Sequence, residues 1–494
     1  MPRVQDDVLS TLAETVSRGL KGADAGLRPL LEQTVKGRYS RLTDKSFQAR
    51  DAYALAQGDD DDKGVPWAGL ISPDNPTSGP YGGTSLVWFP TREAGSLIAL
   101  VVGTRGLSPD EGILTRPGHR RRVAALRRHL TRKGIDVWTK PDPASLGVEI
   151  PKSVTRRFEG FDAALKRYGR ELYCIAAVPL EQERARETVR AFLDLYAFER
   201  GWQPLAATKG EFDEYHAELR SDLFPRVTAN DIYGLLQQRR FVILQGPPGT
   251  GKTRLADEVR VTGFEGRGMT VQFHPSVTYE DFVVGLSPDA SNQQLRFSVR
   301  QGWLLEAAAK AKAAPFLLVV DEVNRADLGK VLGEAIYLFE CREVGGERAR
   351  TIRLPHVVDG SSDFTLPEGL YVLATMNTAD RSVAGIDLAI RRRFAFVPVP
   401  PDRDVVERQG ISLATELFDK LTDVFVEHAP DEALDLLPGH AYFLVRDEAE
   451  LRTRLRYELL PLLDEYLRQG VLGPAGAELH AVRDMIADVS VPSA

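Results

Sequence analysis

Cysteine is nearly missing from this chain. In 494 residues there are two, Cys174 and Cys341, far apart and without metal-ligand spacing around either. That scarcity excludes a disulfide framework and a structural zinc site, and points to a reducing compartment. Long hydrophobic runs are lacking too. No stretch approaches the ~18 apolar residues needed to span a bilayer. The opening MPRVQDDVLSTLAETV carries acids where a secretory leader has an apolar core. These absences predict a soluble, cytoplasmic protein with no membrane contact. Positive charge is not in excess either. The net charge is −7, so any nucleic-acid contact must come from a local basic patch.

What is present suits a folded chain with real cores: 43% of residues are hydrophobic and 27% charged. At roughly 150 residues per domain, the length suggests about three domains. Residues 1–205 read as an α+β unit. Helical patterning at 6–34 leads into the loop-rich GDDDDKGVPWAGLISPDNPTSGPYGG. Strand-like runs follow at 84–90, 96–103, 135–139 and 171–179, and a helix around 181–199 closes the unit. Asp59 to Asp62 lack alternation with other ligand types and read as a solvated acidic loop. Residues 206–402 alternate short apolar runs (241–245, 270–274, 316–321, 370–375, 394–399) with helical segments at 302–314 and 329–340. That alternation predicts a parallel sheet wound with helices. Residues 403–494 read as a helical lid and C-terminal segment, with helices at 415–428 and 447–469.

The chemistry is concentrated in three stretches of the middle unit. GPPGTGKT at 246–253 matches G-x-x-x-x-G-K-[ST] between a strand and a helix. Gly246, Gly249 and Gly251 let backbone N–H groups curl around a phosphate chain, with Pro247, Pro248 and Thr250 completing the loop. Lys252 reaches the β- and γ-phosphates, Thr253 offers a hydroxyl to Mg²⁺, and the following helix points its positive end at the anion. FLLVVDEVNRAD brings Asp321 and Glu322 to the carboxyl edge of the sheet. There Asp321 would hold Mg²⁺ through water, and Glu322 would act as general base on the attacking water. MNTADRS, residues 376–382, follows a third apolar strand. Asn377 there is placed to hydrogen-bond the attacking water and the γ-phosphate; the alternative is a turn asparagine satisfying its own backbone.

Together with FHPSVTYEDFVVGL (273–286), DEVNRADLGKVLGE (321–334) and LAIRRRF (388–394), these motifs resemble, in order, the McrB family. Its members are GTP-hydrolysing AAA+ subunits of McrBC modification-dependent restriction systems. LLPGHAYFL (436–444) and RYELLPLLDEYL (456–467) resemble that family's lid. The resemblance covers about 206–470, and the front unit resembles McrB-like N-terminal domains through VPWAGLISPDNPTS and YGGTSLVWFP. It implies an AAA+ P-loop fold, the sensor 1 role for Asn377, and an arginine finger among Arg391, Arg392 and Arg393 offered to the next subunit. It further implies a homo-oligomer, taken as a hexamer, a separate McrC-like nuclease, and DNA, modified or not, as target. GTP is an inference from the resemblance alone, because the phosphate-binding residues see only the triphosphate and metal; ATP stays open. A MoxR-like chaperone ATPase acting on a protein partner is the alternative.

Residues 116–133, RPGHRRRVAALRRHLTRK, carry Arg116, Arg120, Arg121, Arg122, Arg127, Arg128, Arg132 and Lys133 with no acid among them. Val123, Leu126 and Leu130 recur at helical spacing, so the stretch predicts a helix with one buried side and an arginine face for DNA phosphates. The alternative pairs those arginines with acids elsewhere in the domain. Trp67, Tyr81, Trp88 and Trp138 are candidates to stack on a flipped base, or else core residues.

Overall fold

The computed structural model describes residues 3–22, 27–43, 45–52, 64–77, 80–93, 95–289, 296–379, 386 and 388–490. Asp59 to Asp62 and the end of the heptapeptide, 380–382, lie outside the described residues. The chain divides into two units, Met1–Leu223 with Val426–His428, and Phe224–Phe425 with Ala429–Ala494.

The first unit is built on a six-stranded antiparallel sheet. Its order is Gln48–Asp51, Ala68–Ile71, Thr84–Pro90, Ser96–Val102, Leu172–Ala177, Val137–Thr139. Thr84–Pro90 and Ser96–Val102 are buried along their whole length. Leu86, Trp88, Ile98 and Leu100 face one core, while Val87, Phe89, Leu97 and Ala99 face the other. This double burial explains why neither strand shows polar alternation. Ala68–Ile71 is a strand inside the stretch read as loop. AGLI is too short, and too close to Pro and Gly, to announce itself by periodicity.

The basic stretch forms the helix Pro117–Arg132, and its arginines divide between core and surface. Arg121 and Arg122 are buried with Val123, Leu126 and Leu130. The Arg122 Nε donates to Glu199 at 2.7 Å, His129 sits between Glu187 (2.6 Å) and Glu218 (2.7 Å), and Lys133 reaches Glu187 at 3.0 Å. Arg120, Arg121, Arg128 and Arg132 each have an interaction partner as well. The expected single buried side is therefore corrected: Arg122, Leu126 and His129 make a second inward stripe, while Arg127, Arg132 and Lys133 stay exposed. The stripe's acids come from helices 182–199 and 209–223, too far along the chain for local composition to reveal. Trp88 is fully buried and is no base platform. Trp67 and Trp138 are half-buried, and Trp67 meets Tyr81 edge to face at 6.2 Å.

The second unit carries a five-stranded, wholly parallel sheet. In chain order the strands are β1 (Phe241–Gly246), β2 (Gly268–Gln272), β3 (Phe316–Asp321), β4 (Leu370–Asn377) and β5 (Ala395–Pro398). Across the sheet the order is β2-β3-β4-β1-β5, so β4 lies between β1 and β3. All three central strands therefore deliver their carboxyl ends to one edge, where open α/β sheets bind ligands. Thr228 opens the preceding helix, Ala229–Arg239, with a reciprocal capping box to Asp231. The helix expected at 329–340 is broken instead. Leu328–Leu332 ends at Gly333, whose φ of +49° stops the helix before a tighter turn over Gly333–Leu338. Beyond β5 the chain is mostly helical. Ser412–His428 and the nearly continuous run from Glu448 to Gln469 share a core of Leu417, Phe418, Leu421, Leu451, Leu455 and Leu463.

Candidate nucleotide-binding site

The loop at 246–251 leaves the end of β1 and enters the helix Lys252–Gly263. Gly249 and Gly251 both sit at φ +77°, a region that penalises any side chain, and Gly251 is the helix N-cap. Lys252 is buried, and its Nζ donates to the carbonyls of Gly246 (2.9 Å) and Pro247 (2.6 Å). Burial pushes the Lys252 ammonium down to about 8, against the opposing pull of Asp321 and Glu322.

The carboxyl edge joins the first two motifs directly. Thr253 Oγ1 donates to Asp321 Oδ1 at 2.9 Å, and Thr375 Oγ1, from β4, donates to the same oxygen at 2.5 Å. Thr375 also accepts the Glu322 backbone N–H at 3.0 Å. This buried threonine escapes sequence reading, its one signal being a hydroxyl at the end of an otherwise apolar strand. Glu322 takes up φ +53°, and its carboxylate meets Arg325 Nε at 2.9 Å and Gln272 Nε2, from β2, at 3.3 Å.

Asn377 pairs in register with Gly246, and the next N–H, of Thr378, donates to the Gly246 carbonyl at 3.1 Å. The third motif thus stands beside the first glycine of the loop. Its Oδ1 accepts from Ala379 N at 3.3 Å, which is the local turn bond weighed as the alternative. That bond leaves the amide nitrogen for other use. Asn324 Nδ2 donates to the Asn377 carbonyl at 3.0 Å and ties the 3₁₀ turn after β3 to this corner.

The arginines are not brought to the same corner. They precede β5, at its amino end, whereas the loop follows the carboxyl end of the adjacent parallel strand β1. Arg391 and Arg392 are exposed, Arg391 lying 5.3 Å from the Phe396 ring centroid. Arg393 is buried and donates to Ala389 O at 2.9 Å.

A further segment that sequence reading assigned no contact reaches the loop from the lid. Gly439 N donates to Pro248 O and Ala441 N donates to Gly249 O, each at 2.9 Å. A Cβ on Gly439 would lie 2.0 Å from the Gly249 carbonyl carbon, so only glycine permits this approach.

Comparison with known proteins agrees with this geometry. Residues 241–394 match the AAA domain of the dynein-related subfamily. The chain is 30% identical over 353 residues to the type IV methyl-directed restriction enzyme EcoKMcrB subunit of Escherichia coli (strain K12), covering 64% of this chain and 75% of that one. The chain belongs to the McrB family of AAA+ NTPases. The type II restriction enzyme BsuMI component YdiS of Bacillus subtilis (strain 168) is 28% identical over 190 residues, 31% of this chain and 55% of YdiS. The uncharacterised protein YehL of Escherichia coli (strain K12) is 26% identical over 203 residues, 40% of this chain and 52% of YehL. The AAA match stops at Phe394, so the Gly439–Ala441 contact belongs to the part of this McrB-family chain beyond it.

Proposed function

We propose that this McrB-family chain hydrolyses a nucleoside triphosphate, GTP or ATP, as the oligomeric motor of a McrBC-like restriction system active in phage defence. In this reading residues 206–402 are the NTPase core, 403–494 the lid, and 1–205 a domain that recognises DNA, modified or not. A separate McrC-like subunit supplies the nuclease. The observation that carries the reading is the 2.9 Å bond from Thr253 to Asp321 at the edge shared by β1, β4 and β3. A hydroxyl and a carboxylate oxygen are hard donors, and they fit Mg²⁺, which takes one or two protein ligands and completes its shell with water and phosphate oxygens. Thr253 and Asp321 would hold that ion, which when bound neutralises charge on the phosphates.

The protein's own groups supply the remainder. The 246–253 loop seats the phosphates and Lys252 turns from its carbonyl partners to the β- and γ-oxygens. Glu322 removes the proton as water forms its bond to the γ-phosphorus and the bond to the β–γ bridging oxygen breaks. Asn377 orients that water, and Arg391 or Arg392 of a neighbouring copy stabilises the charge that develops. The nuclease, the DNA and the hexameric ring rest on membership of the McrB family. The test is phosphate release from GTP and from ATP by the purified chain with Mg²⁺. Cleavage of methylated DNA is then assayed after adding the product of the neighbouring reading frame. Release from neither nucleotide sinks the NTPase reading, and a neighbour without nuclease activity sinks the restriction reading.

A further inference from the structure

The lid segment 437–443 does more than cap the unit. Two of its backbone amides are spent on the phosphate loop, and between them stands His440. Its imidazole lies beside Gly251: a Cβ placed on that glycine would be 3.5 Å from His440 Nε2 and 3.9 Å from Cε1. Gly251 is the N-cap of Lys252–Gly263, where the backbone N–H groups at the start of the helix are free to meet an anion. The other ring nitrogen is committed. Nδ1 accepts the backbone N–H of Asp402 at 3.1 Å. An acceptor Nδ1 fixes the tautomer, so the single proton of a neutral ring sits on Nε2, on the side of the phosphate loop.

Resting on the NTPase reading, we propose that His440 is a nucleotide-binding residue of the lid, donating from Nε2 to a phosphate oxygen of the triphosphate held by Gly249–Thr253. Burial lowers the His440 pKa below the usual imidazole range, which keeps the ring neutral and the tautomer fixed at neutral pH. Gly439 is the positioning residue, because its missing Cβ lets the segment lie against Gly249 closely enough for His440 to reach over Gly251. The lid thereby contributes a donor from outside the P-loop motif.

The two ring nitrogens have different jobs, and substitution separates them. Glutamine places a donor near the position of Nε2, whereas asparagine places an acceptor near Nδ1 and nothing further out. The experiment measures binding of the triphosphate that supports turnover, in a non-hydrolysable form, to wild type, His440→Gln, His440→Asn and Lys252→Ala. A hydrogen bond to a charged group corresponds to roughly ten- to hundredfold in affinity. The expected result is near wild-type affinity for His440→Gln and a loss of that size for His440→Asn. The reverse order, with Asn rescuing and Gln failing, overturns the proposal and leaves His440 as a brace for Asp402. Wild-type affinity in both variants overturns it too. Should His440→Asn fail to fold, His440→Phe fills the space with neither nitrogen, and must also bind at least tenfold more weakly. The Lys252→Ala control separates the two levels. If Lys252→Ala binds like wild type, the NTPase reading itself has failed. If only Lys252→Ala loses binding, the inference about His440 alone has failed.

Discussion

Glu322 and Lys252 carry the sharpest expectations at the scale of single residues. Glu322→Gln keeps the bonds among Thr253, Asp321 and Thr375, so triphosphate affinity should stay near wild type while turnover falls by at least a hundredfold. Parallel measurement of binding and phosphate release checks this, and undiminished turnover would remove Glu322 from the mechanism. Lys252 gives a pH dependence with a definite sign. Its ammonium is held down to about 8 in the free protein by burial, and a bound triphosphate favours the charged form. Affinity should therefore be level below about pH 8 and weaken above it by up to roughly tenfold per unit. A calorimetric titration from pH 7 to 10 reads it directly, and a flat profile contradicts the assignment. These residues were legible because their chemistry is local: a phosphate loop needs glycines, a lysine and a hydroxyl in consecutive positions. Thr375, Gln272 and Arg325 were not legible as partners of Asp321 and Glu322. Thr375 and Gln272 owe their places to strand order, and β4 between β1 and β3 is not written in any short window; Arg325 owes its place to the turn after β3.

At the scale of elements, the apolar runs of β1, β3 and β4 become the central parallel strands because both faces are buried and leave no polar alternation to maintain. The basic helix shows the opposite case. Its basic residues were visible and their acids were not, since Glu199 reaches Arg122 while Glu187 and Glu218 reach His129 from two later helices. The consequence is a prediction of stability. Arg122→Ala strips the cation from the buried Glu199 carboxylate, which Arg122 and His119 hold well below the usual carboxylate range. Loss of one partner of a buried pair costs about 3–5 kcal/mol. Chemical denaturation of the variant should show a loss of that order; a loss under 1 kcal/mol would mean that the pair is solvated. Gly439→Ala tests the lid contact in the same way. Its Cβ would collide with the backbone of Gly249, so triphosphate affinity should fall although no side chain of the loop is changed. Unchanged affinity in the titration would show that the segment yields freely.

For the whole molecule, the arginines before β5 matter most. They lie at the amino edge of the sheet while the loop of the same chain lies beyond the carboxyl edge, so the proposed finger role would be toward a neighbour's nucleotide. Arg391→Ala or Arg392→Ala should lower turnover on the order of 10³-fold, with nucleotide affinity retained. Mixing either with Lys252→Ala should restore part of the activity, because some interfaces then pair an intact loop with an intact arginine. No recovery at any ratio would assign these arginines to structure.

The backbone of Glu322 has one more outcome. At φ +53° a glutamate occupies a conformation that glycine or asparagine adopts more easily, at a difference of about 1–2 kcal/mol. A population evolved for heat resistance, with no requirement for turnover, should drift toward glycine at this position and gain a few degrees of melting temperature. Retention of glutamate under heat selection alone would mean that the strain is illusory.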